Sequence, residues 1–143
     1  MENSKTNLNV VQRFYDAYNN KREAILNEVI ADDYVDYGHQ PPGRGLQGAR
    51  SDHQDIARAF EDARFDIDEM FGADDRVVVR WTLHATNTGP FAGISPTQKK
   101  VEVRGISLYR LHDGKITETR NQADLLALFT QLGTIQQKQN VAA

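Results

Sequence analysis

The chain contains no cysteine. Disulfide staples and thiolate metal sites are therefore excluded, although this absence alone does not fix a compartment. There is no basic excess either: the net charge is −3, without the positive stripe that nucleic-acid binding needs. No apolar run approaches the roughly 20 residues of a membrane span. The opening "MENSKTNLNVV" lacks the charged-then-apolar pattern of an export signal. No internal repeat is visible. The four histidines have no regular spacing, so they do not read as a metal site. "GRGLQG" has neither a strong preceding strand nor a following Lys-Ser/Thr, which argues against a phosphate loop. A soluble cytoplasmic protein that binds neither nucleic acid nor membrane is the expectation.

What is present is enough for one domain. The 143 residues, 39% apolar and 26% charged, can bury a real core. The ordered part is expected over about 7–133, with flexible residues at 1–6 and in the tail "IQQKQNVAA". In residues 7–20, Leu8, Val11, Phe14, Tyr15 and Tyr18 recur at helical spacing. Ile25, Leu26, Val29 and Ile30 repeat the pattern in "REAILNEVI". "DDYVDYGHQPPGRG" breaks it, its first half reading as a short strand or a helical turn. A third helix is expected over about 47–63, with Ala49, His53, Ile56, Ala57 and Phe60 on one side. From there the period is two. "RFDIDEMFG", "RVVVRWTLHAT" and "VEVRGISLYRL" read as strands. The Asp-Gly of "HDGK" reads as a hairpin turn into a further strand, and "DLLALFTQLG" as a short helix with a glycine stop. Helices followed by an antiparallel meander give an α+β class: helices on one face of a curved antiparallel sheet.

The last strand poses a question of parity. In Lys115–Asp124, one side carries Ile116, Glu118, Arg120, Gln122 and Asp124, and the other Thr117, Thr119, Asn121 and Ala123. With Asp113-Gly114 as a two-residue turn, Leu111 faces Ile116, Tyr109 faces Glu118, Ser107 faces Arg120, Gly105 faces Gln122 and Val103 faces Asp124. Both faces are mixed. The side with Gly105, Ser107 and Tyr109 suits a concave pocket with a few polar groups, and is expected to be the pocket face. The side with Ile106 and Leu108 suits an outer surface or a subunit contact.

"ADDYVDYGHQPPG", "TGPFAGISPTQKKVEVRGI", "DGKI" and a terminal "ADLLALFTQLG" resemble the SnoaL-like polyketide cyclases of the nuclear transport factor 2-like superfamily, from about Leu8 to Gly133. The resemblance implies a cone of curved antiparallel sheet closed by helices, a cystatin-like α+β barrel with a pocket inside. It implies intramolecular aldol chemistry on a small apolar organic carbonyl compound without metal or cofactor, and sheet-to-sheet homodimers. It puts the catalytic carboxylate at Asp124 and the mouth of the pocket at His39 and Tyr37. Ser107 stands where those cyclases have an assisting strand histidine, and Gln122 where they usually have a tryptophan.

Each candidate has two readings. Asp124 is a helix N-cap, a general acid/base in a dry pocket, or both. Glu118 and Arg120 are a pair on a wet rim, or Arg120 holds a substrate carbonyl or enolate. His53 is a satisfied core residue or the replacement for the missing strand histidine. His39, Asp36 and Tyr37 belong to a surface turn or to the pocket mouth. Trp81, Phe60, Tyr15 and Tyr18 are core or lining, and Tyr109, Ser107 and Gln122 lie on the expected pocket face. Phe91 and Ile94 either close over the pocket or reach a second subunit. Three functions compete: cofactor-free cyclase, isomerase or dehydratase chemistry through Asp124; a non-catalytic small-molecule binder; and an epoxide-hydrolase-type reaction using Glu118, Arg120 and Asp124.

Overall fold

The structure is a computed structural model and describes residues 4–135. Helix α1 spans Ser4–Asn19, a 3-10 turn Glu23–Ile25 leads into α2, Leu26–Val29, and strand β1 follows at Ile30–Asp36. A two-residue strand β2, Gly43–Arg44, precedes α3, Gly45–Ala59. Strands β3 (Arg64–Ala73), β4 (Arg76–Thr86), β5 (Lys100–His112) and β6 (Lys115–Ala123) form the meander, and α4, Leu125–Leu132, ends the described chain. The expected flexible start is helical from Ser4. Residues 1–3 and the tail from 136 lie outside the described residues.

The six strands form one sheet in the order β2-β1-β6-β5-β4-β3. Two expectations are corrected here. The sheet is mixed, because β1 runs parallel to β6, and it is curved but unclosed, with β2 and β3 at its two edges. Bulges provide the bends: the register slips between Ile67 and Glu69 in β3 and between Ile30 and Val35 in β1. The inner face carries Val77, Val79, Trp81 and Leu83 from β4 and Val101, Val103, Tyr109 and Leu111 from β5, all buried with Val11, Phe14, Tyr15, Phe60 and Leu128 from the helical side.

A third bulge answers the parity question. Leu111 does face Ile116, but the ladder then slips by one, so that Arg110 faces Glu118, Tyr109 faces Thr119, Ser107 faces Asn121 and Gly105 faces Ala123. Thr117 is the extra residue, and its hydroxyl donates to the Arg110 carbonyl at 3.2 Å. The pocket face of β5 is the expected one. The row brought opposite it is Thr119, Asn121 and Ala123, while Glu118, Arg120 and Gln122 go to the outer face. Leaving two charges against Tyr109 and Ser107 would cost several kcal/mol each before any pairing. Outside, Glu118 meets Arg110 at 3.6 Å and Arg120 at 3.7 Å.

The hairpin loop between β4 and β5 is fixed by one fully buried side chain. Asn87 donates to the carbonyls of Ala59 and Gly89 at 3.2 and 2.8 Å and accepts from the Thr97 backbone and hydroxyl at 2.9 and 3.0 Å. All four of its hydrogen-bonding capacities are used. The loop is thereby tied to the end of α3, and Phe91 is laid against Phe60, with ring centroids 5.2 Å apart.

Candidate active site

Between the inner sheet face and α1, α3 and α4 lies a hollow of about 220 Å³. That is small beside the roughly 300–1,000 Å³ of pockets for drug-sized ligands. Its walls are rich in aromatic rings: Phe14, Tyr15, Tyr18, Tyr34, Phe60, Phe65, Trp81, Phe91 and Tyr109 line it. The tyrosines are neutral donors. Burial pushes the Tyr15 hydroxyl up to about 12 and also raises Tyr18, Tyr34 and Tyr109. Tyr15 and Tyr109 share a hydrogen bond of 2.7 Å, and Tyr34 donates to Thr119 at 2.9 Å.

Among the described residues, only three charged side chains line the hollow: Asp36, His39 and Asp52. Asp36 ends β1, and His39 follows three residues later in the turn. Asp52 reaches them from α3 because two glycines let that helix come close. A side chain on Gly48 would sit 3.1 Å from the Gly43 backbone, and Asp52 follows Gly48 by one helical turn, on the same face. His39 Nε2 is 3.0 Å from Asp52 Oδ1 and 3.3 Å from Asp36 Oδ2. The other oxygen of Asp36 accepts from the Gly38 N–H at 2.7 Å, and that of Asp52 accepts from the Tyr18 hydroxyl at 2.9 Å.

The electrostatics follow from this arrangement. The hydrogen bond to Asp52 raises the His39 pKa to about 9, against 6.5 for a free imidazole, so the ring is protonated at neutral pH. Burial raises Asp36 above the ordinary carboxylate value, opposed by the Gly38 N–H and by His39. The cluster is thus a buried carboxylate of enhanced basicity beside a half-exposed imidazolium, held by a second carboxylate. The three residues also offer one ligand atom each within 4.8 Å of one another, the only such group among the described residues. That is one ligand fewer than closed tetrahedral zinc sites have.

The residues expected from sequence divide in two. His39, Ser107, Trp81 and Tyr109 line the hollow. His53 does not: it is buried behind the wall, where Nε2–H donates to the Ala17 carbonyl at 2.8 Å and the ring packs 4.8 Å from that of Tyr18. Tyr37 and Arg120 stack on each other outside, the guanidinium carbon 4.1 Å above the ring centroid. Gln122 is exposed and pairs with outward-facing Ile106. Asp124 is exposed, and its carboxylate accepts from the Ala127 N–H at 3.0 Å as the N-cap of α4. Glu118, Arg120 and Asp124 therefore do not converge inside the hollow, which removes the constellation assigned to epoxide hydrolysis.

Asp52 and Asn121 were missed. Asp52 neighbours His53 in sequence but lies off the apolar stripe of α3, and its partner His39 lies in a loop, so no helical periodicity links them. Asn121 was assigned to the wrong face by the unseen bulge.

Residues 9–132 match the family model of SnoaL-like polyketide cyclases. The chain belongs to that family. Among its relatives is the aklanonic acid methyl ester cyclase DnrD of Streptomyces peucetius, 28% identical over 132 residues that cover 90% of this chain and 91% of that protein. The aklanonic acid methyl ester cyclase DauD of Streptomyces sp. (strain C5) is also 28% identical, over 88% of this chain and 81% of that one. In three dimensions the SnoaL-like chain resembles TsrD from Streptomyces laurentii with a TM-score of 0.88 at 24% identity, over 94% of this chain and all of that one. That likeness is one of fold. No helix among the described residues is long and apolar enough to cross a membrane.

Proposed function

We propose that this SnoaL-like protein carries out acid/base chemistry with its own side chains on a small, largely apolar carbonyl compound, in the class of aldol cyclisation or a related isomerisation or dehydration. The observation that carries this reading is the lining of the hollow: aromatic-rich walls whose only charged groups among the described residues are Asp36, His39 and Asp52. Asp36 removes a proton from carbon next to the carbonyl, a task that favours a carboxylate whose pKa is raised toward the working pH. The His39 imidazolium offsets the negative charge of the cluster and is the nearby acid. Asp52 orients His39 and takes no proton itself. The names of DnrD and DauD, aklanonic acid methyl ester cyclases, support a cyclisation. The volume of the hollow favours a guest smaller than a drug-sized molecule.

The test uses a surrogate, 2-tetralone in D₂O, with loss of its α-proton signals followed by NMR. The wild-type protein is expected to accelerate exchange, and Asp36→Asn to reduce that acceleration by on the order of 10²–10⁴-fold. A folded Asp36→Asn protein that exchanges as fast as wild type refutes the assignment. Wild-type protein that binds the ketone without exchanging it belongs instead with the non-catalytic binders.

We also propose a homodimer through the outer sheet face. Phe71, Val78 and Leu108 stand side by side across β3, β4 and β5, with Phe71 56% and neighbouring Ile106 51% exposed. Sedimentation is expected to give a dimer for wild type and a monomer for Leu108→Glu; a wild-type monomer at micromolar concentration contradicts it.

A further inference from the structure

Building on the acid/base reading above, we propose that the side-chain amide of Asn121 is the donor that binds the substrate's oxygen as it becomes an enolate, and that Trp81 and Ser107 fix the direction in which it points. Trp81 is the first link. Its indole N–H can only donate, and it donates to Ser107 Oγ at 2.9 Å. Ser107, fully buried, donates its hydroxyl hydrogen bond to Asn121 Oδ1. The oxygen of the amide is thereby occupied, and its NH₂ is turned away from Ser107 toward Gly38. A Cβ built on Gly38 would lie 3.0 Å from Asn121 Nδ2 and 3.0 Å from Asp36 Oδ1. The amide and the carboxylate therefore flank one gap, which stays open because residue 38 is glycine. Both groups also line the hollow.

This geometry divides the work of enolisation. Asp36 takes the α-proton. The C–H electron pair becomes the new C=C bond, and the carbonyl π electrons move onto oxygen. The resulting oxyanion accepts from Asn121 Nδ2–H. The donor is matched to charge that develops during the reaction rather than to the starting ketone, as transition-state stabilisation requires. Asn121 is the catalytic residue of this subsite, while Ser107 and Trp81 are positioning residues.

Two readouts test it. In the 2-tetralone assay, Asn121→Ala and Asn121→Asp are expected to lower kcat by about 10- to 100-fold with little change in KM. Ser107→Ala is expected to lower kcat less, because the freed amide still visits the productive direction. Gly38→Ala, which narrows the gap, should raise KM. The second readout does not need catalysis. In Asp36→Asn protein, which imitates the protonated acid, bound 2-naphthol is followed by its absorbance and fluorescence, and its ionised fraction is expected to fall several-fold when Asn121→Ala is added. An unchanged ionised fraction, or no bound naphtholate in the Asp36→Asn protein, overturns the proposal, as does wild-type kcat in Asn121→Ala alongside loss of exchange in Asp36→Asn. Failure of Asp36 as the base is read separately, from exchange by the Asp36→Asn protein alone.

Discussion

The indole of Trp81 lies directly over Gly105, its cross-strand partner in the β4–β5 ladder, and Gly105→Ala tests how closely that wall is built. The added Cβ would sit 2.6 Å from Trp81 Cη2 and 2.7 Å from Cε2, and closer still to Cζ2. Non-bonded carbons rest at about 3.5–4.0 Å, so the ring must retreat by roughly 1 Å. It has little room: Phe65 packs edge-on against it at 5.4 Å, and Nε1 is held by Ser107 at 2.9 Å. Overpacking of this kind costs about 1–3 kcal/mol. Pulling Nε1 out of reach of Ser107 leaves a buried donor unpaired, for another 1–3 kcal/mol or so. For 143 residues at about 2.1 cal/mol/K of unfolding entropy each, 3 kcal/mol corresponds to a fall in Tm of about 10 °C. Calorimetry of Gly105→Ala, Trp81→Phe and the double variant measures this. The smaller ring should recover part of the loss, giving a coupling energy of at least about 1 kcal/mol. A Gly105→Ala protein that melts within about 1 °C of wild type refutes the reasoning, as does a double variant whose losses simply add.

Three further outcomes follow from the geometry. Asp124→Ala is expected to cost about 1 kcal/mol of stability as a lost N-cap while leaving 2-tetralone exchange unchanged; loss of exchange in a folded Asp124→Ala protein would return catalysis to that carboxylate. Deleting Thr117 removes the unpaired residue of the bulge but leaves Ile116 opposite Leu111, Glu118 opposite Arg110 and Thr119 opposite Tyr109, so both faces keep their residues and the variant should still fold; circular dichroism showing no cooperative melt would contradict it. His39 has a folded pKa of about 9 against 6.5, so its stabilising contribution is complete below pH 6.5 and disappears as pH rises through about 9. With that side chain 49% exposed, solvent screening holds the effect to about 1 kcal/mol at most; denaturant titrations between pH 6 and 10 should show this loss in wild type and not in His39→Gln, and equal slopes would refute it.

The order of elements, the three helices, the four meander strands and the inner face of β5 were readable because each rests on a local signal: helical spacing in Val11, Tyr15 and Tyr18, alternation in Val77, Val79 and Trp81, and Asp-Gly at the turn. The fate of β6 was not. A single extra residue at Thr117 reverses every later side chain, and nothing about a threonine in a strand marks it as a bulge. The charges themselves were the available clue, since Glu118 and Arg120 gain far more from facing water than from facing Tyr109 and Ser107. The parallel pairing of β1 with β6 was equally hidden, because it joins segments some 80 residues apart that share no turn. For the site, His39, Trp81, Ser107 and Tyr109 were legible as single residues. Their convergence with Asp52 was not, because it depends on how closely α3 packs at Gly43 and Gly48.

Asp36, His39 and Asp52, on this reading, form one coupled proton-exchanging cluster in the wall of an aromatic-rich hollow. NMR titration of the Asp36 carboxyl and the His39 imidazole in the folded protein tests it most directly. Asp36 is expected to titrate above the ordinary carboxylate value of 3.8, and His39 to keep its proton until about pH 9. An Asp36 that ionises at 3.8 or below together with a His39 that titrates near 6.5 would contradict it.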